Sequence, residues 1–370
     1  MKKIMLFGLM FLTLLLLFLM SHWFVYFSLV KFFGVKTVLT KNVIAGILIV
    51  LGGSFFVSTF LSHVRDNVFS RGYYFSAGVW VGMLVNLLLF FAITWGILFV
   101  GSKINFVPNK MFLAILAIIA AVIYSAYGVF NAFNPKVTSL NVAIDGLPKA
   151  WIGKKIVQIS DVHLGHVYRA DYLTQVVNKI NALNPEVVVI TGDLFDGTDG
   201  NIDSFLAPIN KINAPIFFSM GNHETYLGLD NVYAAIGKTK ITPLRDSLQV
   251  IDGLQFIGID YPLRGEARDI TKIIPKMENW DQFSPSILLM HEPLQIENAK
   301  KVGISLQLSG HTHKGQLFPF GLITSLIFGG YDYGFKREGS YAIYTSSGLG
   351  GWGPPMRTEH GSEIVEITLR

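Results

Sequence analysis

The segment KIVQISDVHLG, residues 155–165, begins as a short β-branched apolar run and ends in a polar loop. The run predicts a buried strand at Lys155–Ile159, and the loop after it carries Asp161, His163 and Gly165. Because α/β proteins place their sites just beyond the carboxyl ends of buried strands, this segment predicts both an element of the fold and part of a site.

The same pattern returns along the second half of the chain. Further apolar runs lead into TGDLFD at 191–196, MGNHE at 220–224, MHEP at 290–293 and SGHTH at 309–313. Strands are expected at Lys155–Ile159, Val187–Ile190, Ile216–Ser219, Leu254–Ile259, Ile287–Met290, Ser305–Leu308, Tyr341–Thr345 and Ile364–Leu369. Helices are expected at about 171–183 and 203–212. This alternation predicts an α/β domain with buried strands.

The loops after these strands concentrate metal-binding residue types. Five of the nine histidines lie in them, each within two residues of an Asp, a Glu, an Asn or another His. Imidazole, carboxylate and amide oxygens together suit Mn, Fe or Zn. One such loop alone is often only a turn, but five in sequence, each after its own strand, predict a metal site. The chain has no cysteine, which excludes thiolate ligands and a disulfide framework.

The order of motifs D-x-H, G-D-x-x-D, G-N-H-E, H and G-H-T-H is similar to that of the calcineurin-like metallophosphoesterase family, over residues 154–370. The resemblance implies a β-sandwich flanked by helices, with two divalent metal ions at one edge. Carried over by position, it implies that Asp161, His163 and His313 hold the first metal, that Asn222, His291 and His311 hold the second, and that Asp193 bridges them. The implied activity is phosphoester or pyrophosphate hydrolysis by metal-activated hydroxide.

Other residues in these motifs have expected supporting roles. His223 follows Asn222 and is expected to protonate the leaving group, while Asp196 is expected to orient a neighbouring histidine. Glu224 and Glu292 are expected to support the ligands rather than to bind metal.

Two residues are candidates for substrate binding. His166 could line the substrate cleft or lie at the surface. Arg357 ends a glycine-rich run, 346–357, which resembles the C-terminal loop of the membrane-linked bacterial members of the family. Its guanidinium could bind the substrate phosphate, or the run could be a rigid surface loop.

The first 135 residues differ in composition from the rest. They contain nine Lys/Arg and one acid, whereas the remaining residues contain 21 Lys/Arg and 24 Asp/Glu, so the net charges are +8 and −3. Four uncharged runs, at 4–30, 42–64, 72–102 and 111–135, are each long enough to cross a bilayer as a helix. We therefore expect a multi-pass transmembrane domain at 1–135, a linker at 136–153 and the phosphoesterase domain at 154–370. The short-loop basic residues divide equally between the two sides and so indicate no orientation.

The substrate is expected to be a phosphate-bearing lipid or small molecule at the membrane. The apolar segment Leu317–Phe328 could be buried core, or a lip that contacts the bilayer or acyl chains. The net charge of −3 in the second half argues against nucleic acid. The alternatives are a nucleotide phosphodiesterase or broad-specificity phosphatase, and a non-catalytic membrane sensor, which predicts missing ligands.

Overall fold

A computed structural model describes residues 2–106, 108–197, 202–263, 266 and 268–370. The chain divides into two compact units. The first, the membrane unit, comprises Met1–Val129 together with the short segment Gly353–Met356. The second comprises Phe130–Trp352 and Arg357–Arg370.

The membrane unit contains four long helices. They are α1 (Lys2–Phe32), α2 (Val38–Val64), α3 (Val68–Lys103) and α4 (Lys110–Phe133). All four are long and apolar enough to span a bilayer, which confirms the four predicted spans. Local chemistry sets where two of them begin: the Thr37 side chain accepts from the Thr40 amide before α2, and Asn67 caps α3 in a capping box with Ser70.

The second unit contains twelve strands. They are β1 (Lys136–Val142), β2 (Lys155–Ile159), β3 (Val187–Thr191), β4 (Ile216–Ser219), β5 (Ile241–Pro243), β6 (Ser247–Ile251), β7 (Leu254–Gly258), β8 (Ser286–Leu289), β9 (Leu306–Ser309), β10 (Gly334–Glu338), β11 (Tyr341–Thr345) and β12 (Glu363–Leu369). Its helices are α5 (Ala170–Leu183), α6 (Ile202–Leu206), α7 (Asn222–Leu227), α8 (Leu229–Ile236), α9 (Ile270–Ile273), α10 (Ile296–Val302) and α11 (Phe320–Ile327).

The strands form two six-stranded sheets, in the orders β1-β12-β2-β3-β4-β5 and β10-β11-β9-β8-β7-β6. Strands β2 to β5 pair in parallel, as do β7, β8, β9 and β11. Parallel pairing brings the carboxyl ends of neighbouring strands to one edge of each sheet. The loops that carry the predicted ligands therefore leave the sheets together.

Three apolar layers hold the second unit together. Between the sheets, Ile156 and Phe217 of one sheet belong to the same buried cluster as Phe256 and Leu308 of the other. Helices α5, α6 and α8 cover the outer face of the first sheet, and α9 and α10 cover the outer face of the second. The unit is a β-sandwich flanked by helices, as the family resemblance implies.

The segment 136–153 is not a linker, and the structure corrects this expectation. Strand β1 lies within it and pairs in parallel with β12, from Lys136 opposite Glu363 to Val142 opposite Leu369. The strand is easy to miss in the sequence because it lies at the edge of its sheet and most of its side chains are exposed or half-buried.

The apolar segment Leu317–Phe328 is not core either. Most of it forms α11, where Leu322 is 65%, Leu326 is 83% and Ile327 is 68% exposed. The structure thus excludes the buried-core interpretation of this segment and leaves an apolar helix at the surface of the second unit.

Candidate metal centre

The loops after β2, β3, β4, β8 and β9 converge at one edge of the sandwich. Each of the seven predicted ligands lies on one of these loops or at the first residue of α7. Two groups of three donor residues each gather within a few ångströms: Asp161, His163 and His313, and Asp193, His291 and His311.

The first group presents two imidazoles and one carboxylate. The Nε2 atoms of His163 and His313 are 3.1 Å apart, and Asp161 Oδ1 is 3.5 Å from His313 Nε2. Asp161 is fully buried, and both of its oxygens accept the backbone N–H of His311 at 3.0 Å. Burial raises the pKa of Asp161, although nearby histidines oppose the shift.

The second group is equally tight. Asn222 Oδ1 lies 3.1 Å from His291 Nε2 and 3.0 Å from His311 Nδ1. The two ring nitrogens are 3.2 Å apart. Burial and the charge of His291 lower the pKa of His311 to about 3, so this ring is neutral and its nitrogen can act as a ligand.

Asp193, a member of the second group, also lies close to the first. Its Oδ2 atom is 3.1 Å from His291 Nε2 in the second group and 4.0 Å from His163 Nε2 in the first. Burial would raise the pKa of this carboxyl, but His291 and His163 hold it well below its usual range. Burial likewise opposes the charged form of His291, yet Asp193 raises the pKa of that ring to about 10. Asp193 therefore stays ionised within reach of both groups.

A hydrogen bond lies behind the His291 ring, and a carboxylate lies behind the His163 ring. The Nδ1 atom of His291 lies 2.7 Å from the Thr191 carbonyl, and the Nδ1 atom of His163 lies 3.5 Å from Asp196 Oδ1. Since the Thr191 carbonyl accepts the Nδ1 proton of His291, its Nε2 faces the centre of the group, where a bound cation would displace the remaining proton. The converging imidazole, carboxylate and amide donors fit two divalent cations of the Mn, Fe or Zn type.

The backbone at these positions is unusual. Asp161, His163, Asp193, His311 and His313 all have φ between 49° and 71°, in the left-handed region. A neighbouring glycine is required as well: a Cβ at Gly310 would overlap Ser160 Oγ and Asp161 Oδ2. Sharp left-handed turns direct several side chains from short loops at one point.

Glu224 connects the loops after β3 and β4 by hydrogen bonds to their backbone. Its buried carboxylate accepts the backbone N–H groups of Asp193, Phe195 and Gly221, at 3.0, 3.2 and 2.7 Å. Burial, together with the charge of Asp193, raises the pKa of Glu224 to about 7. Glu292 lies 3.4 Å from His311 Nε2, on the side of the ring away from the donors. Both contacts agree with a supporting role.

His223 lies beside both groups. Its Nδ1 is 2.7 Å from the Asp196 carbonyl, which leaves Nε2 facing the centre, 4.0 Å from Asp193 Oδ2. Two exposed aromatic residues flank its ring: the ring centroid of Tyr226 is 5.0 Å away and that of Trp352 is 6.3 Å away. The position of these two residues beside His223 was not predicted, because an exposed Tyr or Trp has no distinguishing sequence pattern.

The two candidate substrate-binding residues are buried. His166 is 5% exposed, which contradicts the surface alternative. Arg357 is 0% exposed, and its guanidinium donates to the carbonyls of Ser347, Gly350 and His360. The guanidinium N–H groups that a substrate phosphate would need are therefore already bonded to backbone carbonyls.

Comparison with known proteins agrees with this geometry. Residues 154–315 match the family model described as calcineurin-like phosphoesterase. An uncharacterised metallophosphoesterase of Helicobacter pylori is 34% identical over 289 residues, which cover 74% of this chain and 76% of the relative. The chain belongs to the metallophosphoesterase family.

Two further relatives extend the similarity toward the N-terminus or to other organisms. An uncharacterised metallophosphoesterase of Campylobacter jejuni is 31% identical and covers 85% of this chain and 88% of its own. A zebrafish (Danio rerio) protein named as a transmembrane protein with a metallophosphoesterase domain is 32% identical, over 69% of this chain and 62% of its own. With its four spanning helices, this metallophosphoesterase is a multi-pass membrane protein and a metal-dependent phosphoester hydrolase.

Proposed function

We propose that this membrane metallophosphoesterase hydrolyses a phosphoester or pyrophosphate bond of a lipid or lipid-linked substrate. The observation that supports the lipid part is α11, an exposed apolar helix next to the metal centre. Phe320 begins it seven residues after His313, and no charged residue occurs between Leu317 and Phe328. At its far end, the Phe328 ring lies 6.0 Å from the His311 ring.

An apolar helix exposed to water is unfavourable unless something covers it. The acyl or polyprenyl chain of a substrate, or the bilayer around it, would do so while the phosphate lies at the metal centre. A soluble nucleotide would leave the same side chains in water. The position of α11 therefore favours a substrate with a long apolar chain.

The residues of the centre have distinct roles in this proposal. Bound divalent cations would supply hydroxide at neutral pH and neutralise charge on the phosphate oxygens. Asp161, His163 and His313 would hold one cation, Asn222, His291 and His311 the other, and Asp193 would contact both. His223 Nε2 would donate a proton to the departing oxygen, and Asp196 would hold the rings of His163 and His223 in place.

A substrate panel tests the proposal. Protein purified in detergent and loaded with Mn²⁺ should release phosphate from a lipid phosphate or a polyprenyl pyrophosphate, as well as from p-nitrophenyl phosphate. Asp193→Ala should abolish all turnover, whereas Asp203→Ala, at an exposed carboxylate on α6, should not. Turnover of aryl phosphates without any lipid would defeat the lipid assignment. Retained activity in Asp193→Ala would defeat the two-metal assignment.

A further inference from the structure

A segment from near the C-terminus is packed within the membrane unit. Gly353–Met356 belongs to that unit, and Pro355 and Met356 are buried in it. A Cβ at Gly78 would lie 2.8 Å from Pro355 Cδ, and one at Gly82 would lie 2.8 Å from Met356 Sδ. Helix α3 therefore meets this segment so closely that a larger residue at Gly78 would displace the Pro355 ring, and one at Gly82 would require the Met356 side chain to move.

A third residue completes this face of α3. Asn86 is fully buried, and its Nδ2 donates to Ser125 Oγ at 2.8 Å and to Met356 Sδ at 3.5 Å. Gly78, Gly82 and Asn86 are spaced four residues apart, so they share one face of the helix. We call these three residues the α3 seat. Elsewhere on α3, a Cβ at Gly72 or Gly96 would have no atom of the described residues within 4 Å, whereas one at Gly101, near the end of the helix, would lie 2.5 Å from the Phe106 carbonyl oxygen in the segment that follows.

The residue directly after the seated segment is Arg357, in the second unit. Its Nη2 atom donates to the carbonyl of Ser347 and, at 3.4 Å, to the carbonyl of His313. Its Nη1 atom lies 3.4 Å from His313 Nδ1. The Nη1 atom also donates to the Gly350 carbonyl. The planar guanidinium directs five N–H donors from three nitrogens at carbonyls in different places, whereas lysine offers three donors from a single nitrogen.

The loop that Arg357 holds also supports the other side of the first metal group. The Gly350 amide donates to the Asp161 carbonyl at 2.7 Å, and the Leu349 amide donates to the Ser160 carbonyl at 2.9 Å. Gly348 is so close to Asp161 that a Cβ would lie 2.7 Å from the Asp161 Cβ. Two of the three donors of the first group, Asp161 and His313, thus depend on the loop that Arg357 closes.

We propose that Arg357 is a positioning residue for the first metal, and that the α3 seat fixes Arg357 by holding Pro355 and Met356. A change on a membrane helix should then alter metal binding through the peptide chain itself. This inference rests on the assignment of Asp161 and His313 as ligands in the proposed function.

The test compares glycine substitutions on the same helix. Gly78→Leu should displace the rigid Pro355 ring, whereas Gly96→Leu places the same side chain at an exposed position of α3 and serves as the matched control. Mn²⁺ binding by calorimetry should show one of two sites weakened about 10–100-fold in Gly78→Leu, with the other site unchanged and Gly96→Leu like the parent. Turnover of p-nitrophenyl phosphate should fall with the weakened site, and excess Mn²⁺ should restore part of it.

Two further variants keep the test decisive if Gly78→Leu does not fold. Met356→Ala leaves α3 intact and should weaken the same site, and Arg357→Lys should do so without loss of charge. Parent-like affinity at both sites in folded Met356→Ala and Arg357→Lys would overturn the inference. Equal weakening of both sites, with a lower midpoint of thermal unfolding, would also overturn it, because that indicates general structural damage. If the parent protein itself binds no Mn²⁺, the proposed function fails instead.

Discussion

Replacing the exposed face of α11 should separate lipid hydrolysis from the chemistry of the metal centre. The perturbation is the triple variant Leu322→Ser, Leu326→Ser and Ile327→Ser. Full burial of a leucine or isoleucine side chain stabilises by about 2 kcal/mol. These three side chains are 65%, 83% and 68% exposed, so nearly three quarters of that gain is available at each.

Full insertion of the three side chains into acyl chains would therefore contribute about 4 kcal/mol. A helix that lies at an interface inserts one face only, which reduces the gain to about 2 kcal/mol. Since about 1.4 kcal/mol corresponds to a factor of ten, KM for the lipid substrate should rise about 30-fold.

The assay measures kcat and KM for a lipid phosphate in mixed micelles and, separately, for p-nitrophenyl phosphate in the same detergent. The aryl phosphate has no long apolar chain, so its kcat/KM should stay within about twofold of the parent. Phe283→Ser is the matched control, because Phe283 is 88% exposed and lies outside α11. An unchanged KM for the lipid in the triple variant would refute the reasoning, as would an equal loss with the aryl phosphate or with Phe283→Ser.

Two other predictions concern His223 and Glu366. His223→Gln should lower kcat about 10²–10⁴-fold for an alkyl phosphate, because its leaving group needs a proton. For p-nitrophenyl phosphate, whose leaving group is stable as an anion, kcat should fall less than about tenfold. Equal losses of kcat across a series of leaving groups would contradict a role of His223 in protonation. Hydrogen bonds from Lys155 and Ser139 lower the pKa of Glu366 below its usual 4.5, so its carboxylate stabilises the fold above that pH and the contribution is lost as the pH falls through the lowered pKa. Glu366→Gln should therefore reduce the free energy of unfolding by about 1 kcal/mol at pH 7, and the difference from the parent should shrink as the pH is lowered below 4.5, by thermal unfolding in detergent. A difference that does not change with pH would count against the interaction.

The strands whose bounds were predicted correctly from the sequence are buried strands. The predicted bounds of β2, β4 and β11 coincide with those of the structure, and nearly every residue of these strands is buried. Continuous burial requires a continuous apolar run, which is visible in a single sequence. The four long membrane helices were visible because a segment that spans a bilayer also requires a continuous apolar run.

The missed strands β1, β5, β6 and β10 are edge strands with many exposed or half-buried residues. Their pairing depends on partners elsewhere in the chain, and β1 pairs with a strand more than 200 residues away. No local pattern carries that information, because backbone hydrogen bonding rather than side-chain burial holds an edge strand. The linker expected at 136–153 was wrong on this account.

The candidate site divides in a similar way. The order and spacing of Asp161, Asp193 and the histidines predicted the residues that the structure brings together. The hydrogen bonds of Arg357 to backbone carbonyls were not predictable, because the residue types of a glycine-rich loop do not indicate which way its carbonyls point. Gly348 in that loop has φ of +83°, a turn that only the folded chain reveals.

The left-handed backbone at five of the proposed metal-binding positions lowers the stability of the fold where the proposed activity needs these residues. A non-glycine residue in that conformation costs roughly 1 kcal/mol, so the five together cost about 5 kcal/mol, a sizeable part of the 5–15 kcal/mol that typically stabilises a domain. Glycine at any one of these positions would relax the backbone and at the same time remove a donor. A lineage that no longer needed hydrolysis could therefore gain stability by losing its ligands one at a time. Five Asp and His residues in this conformation therefore concentrate a stability cost at the edge of the sandwich where the proposed chemistry takes place.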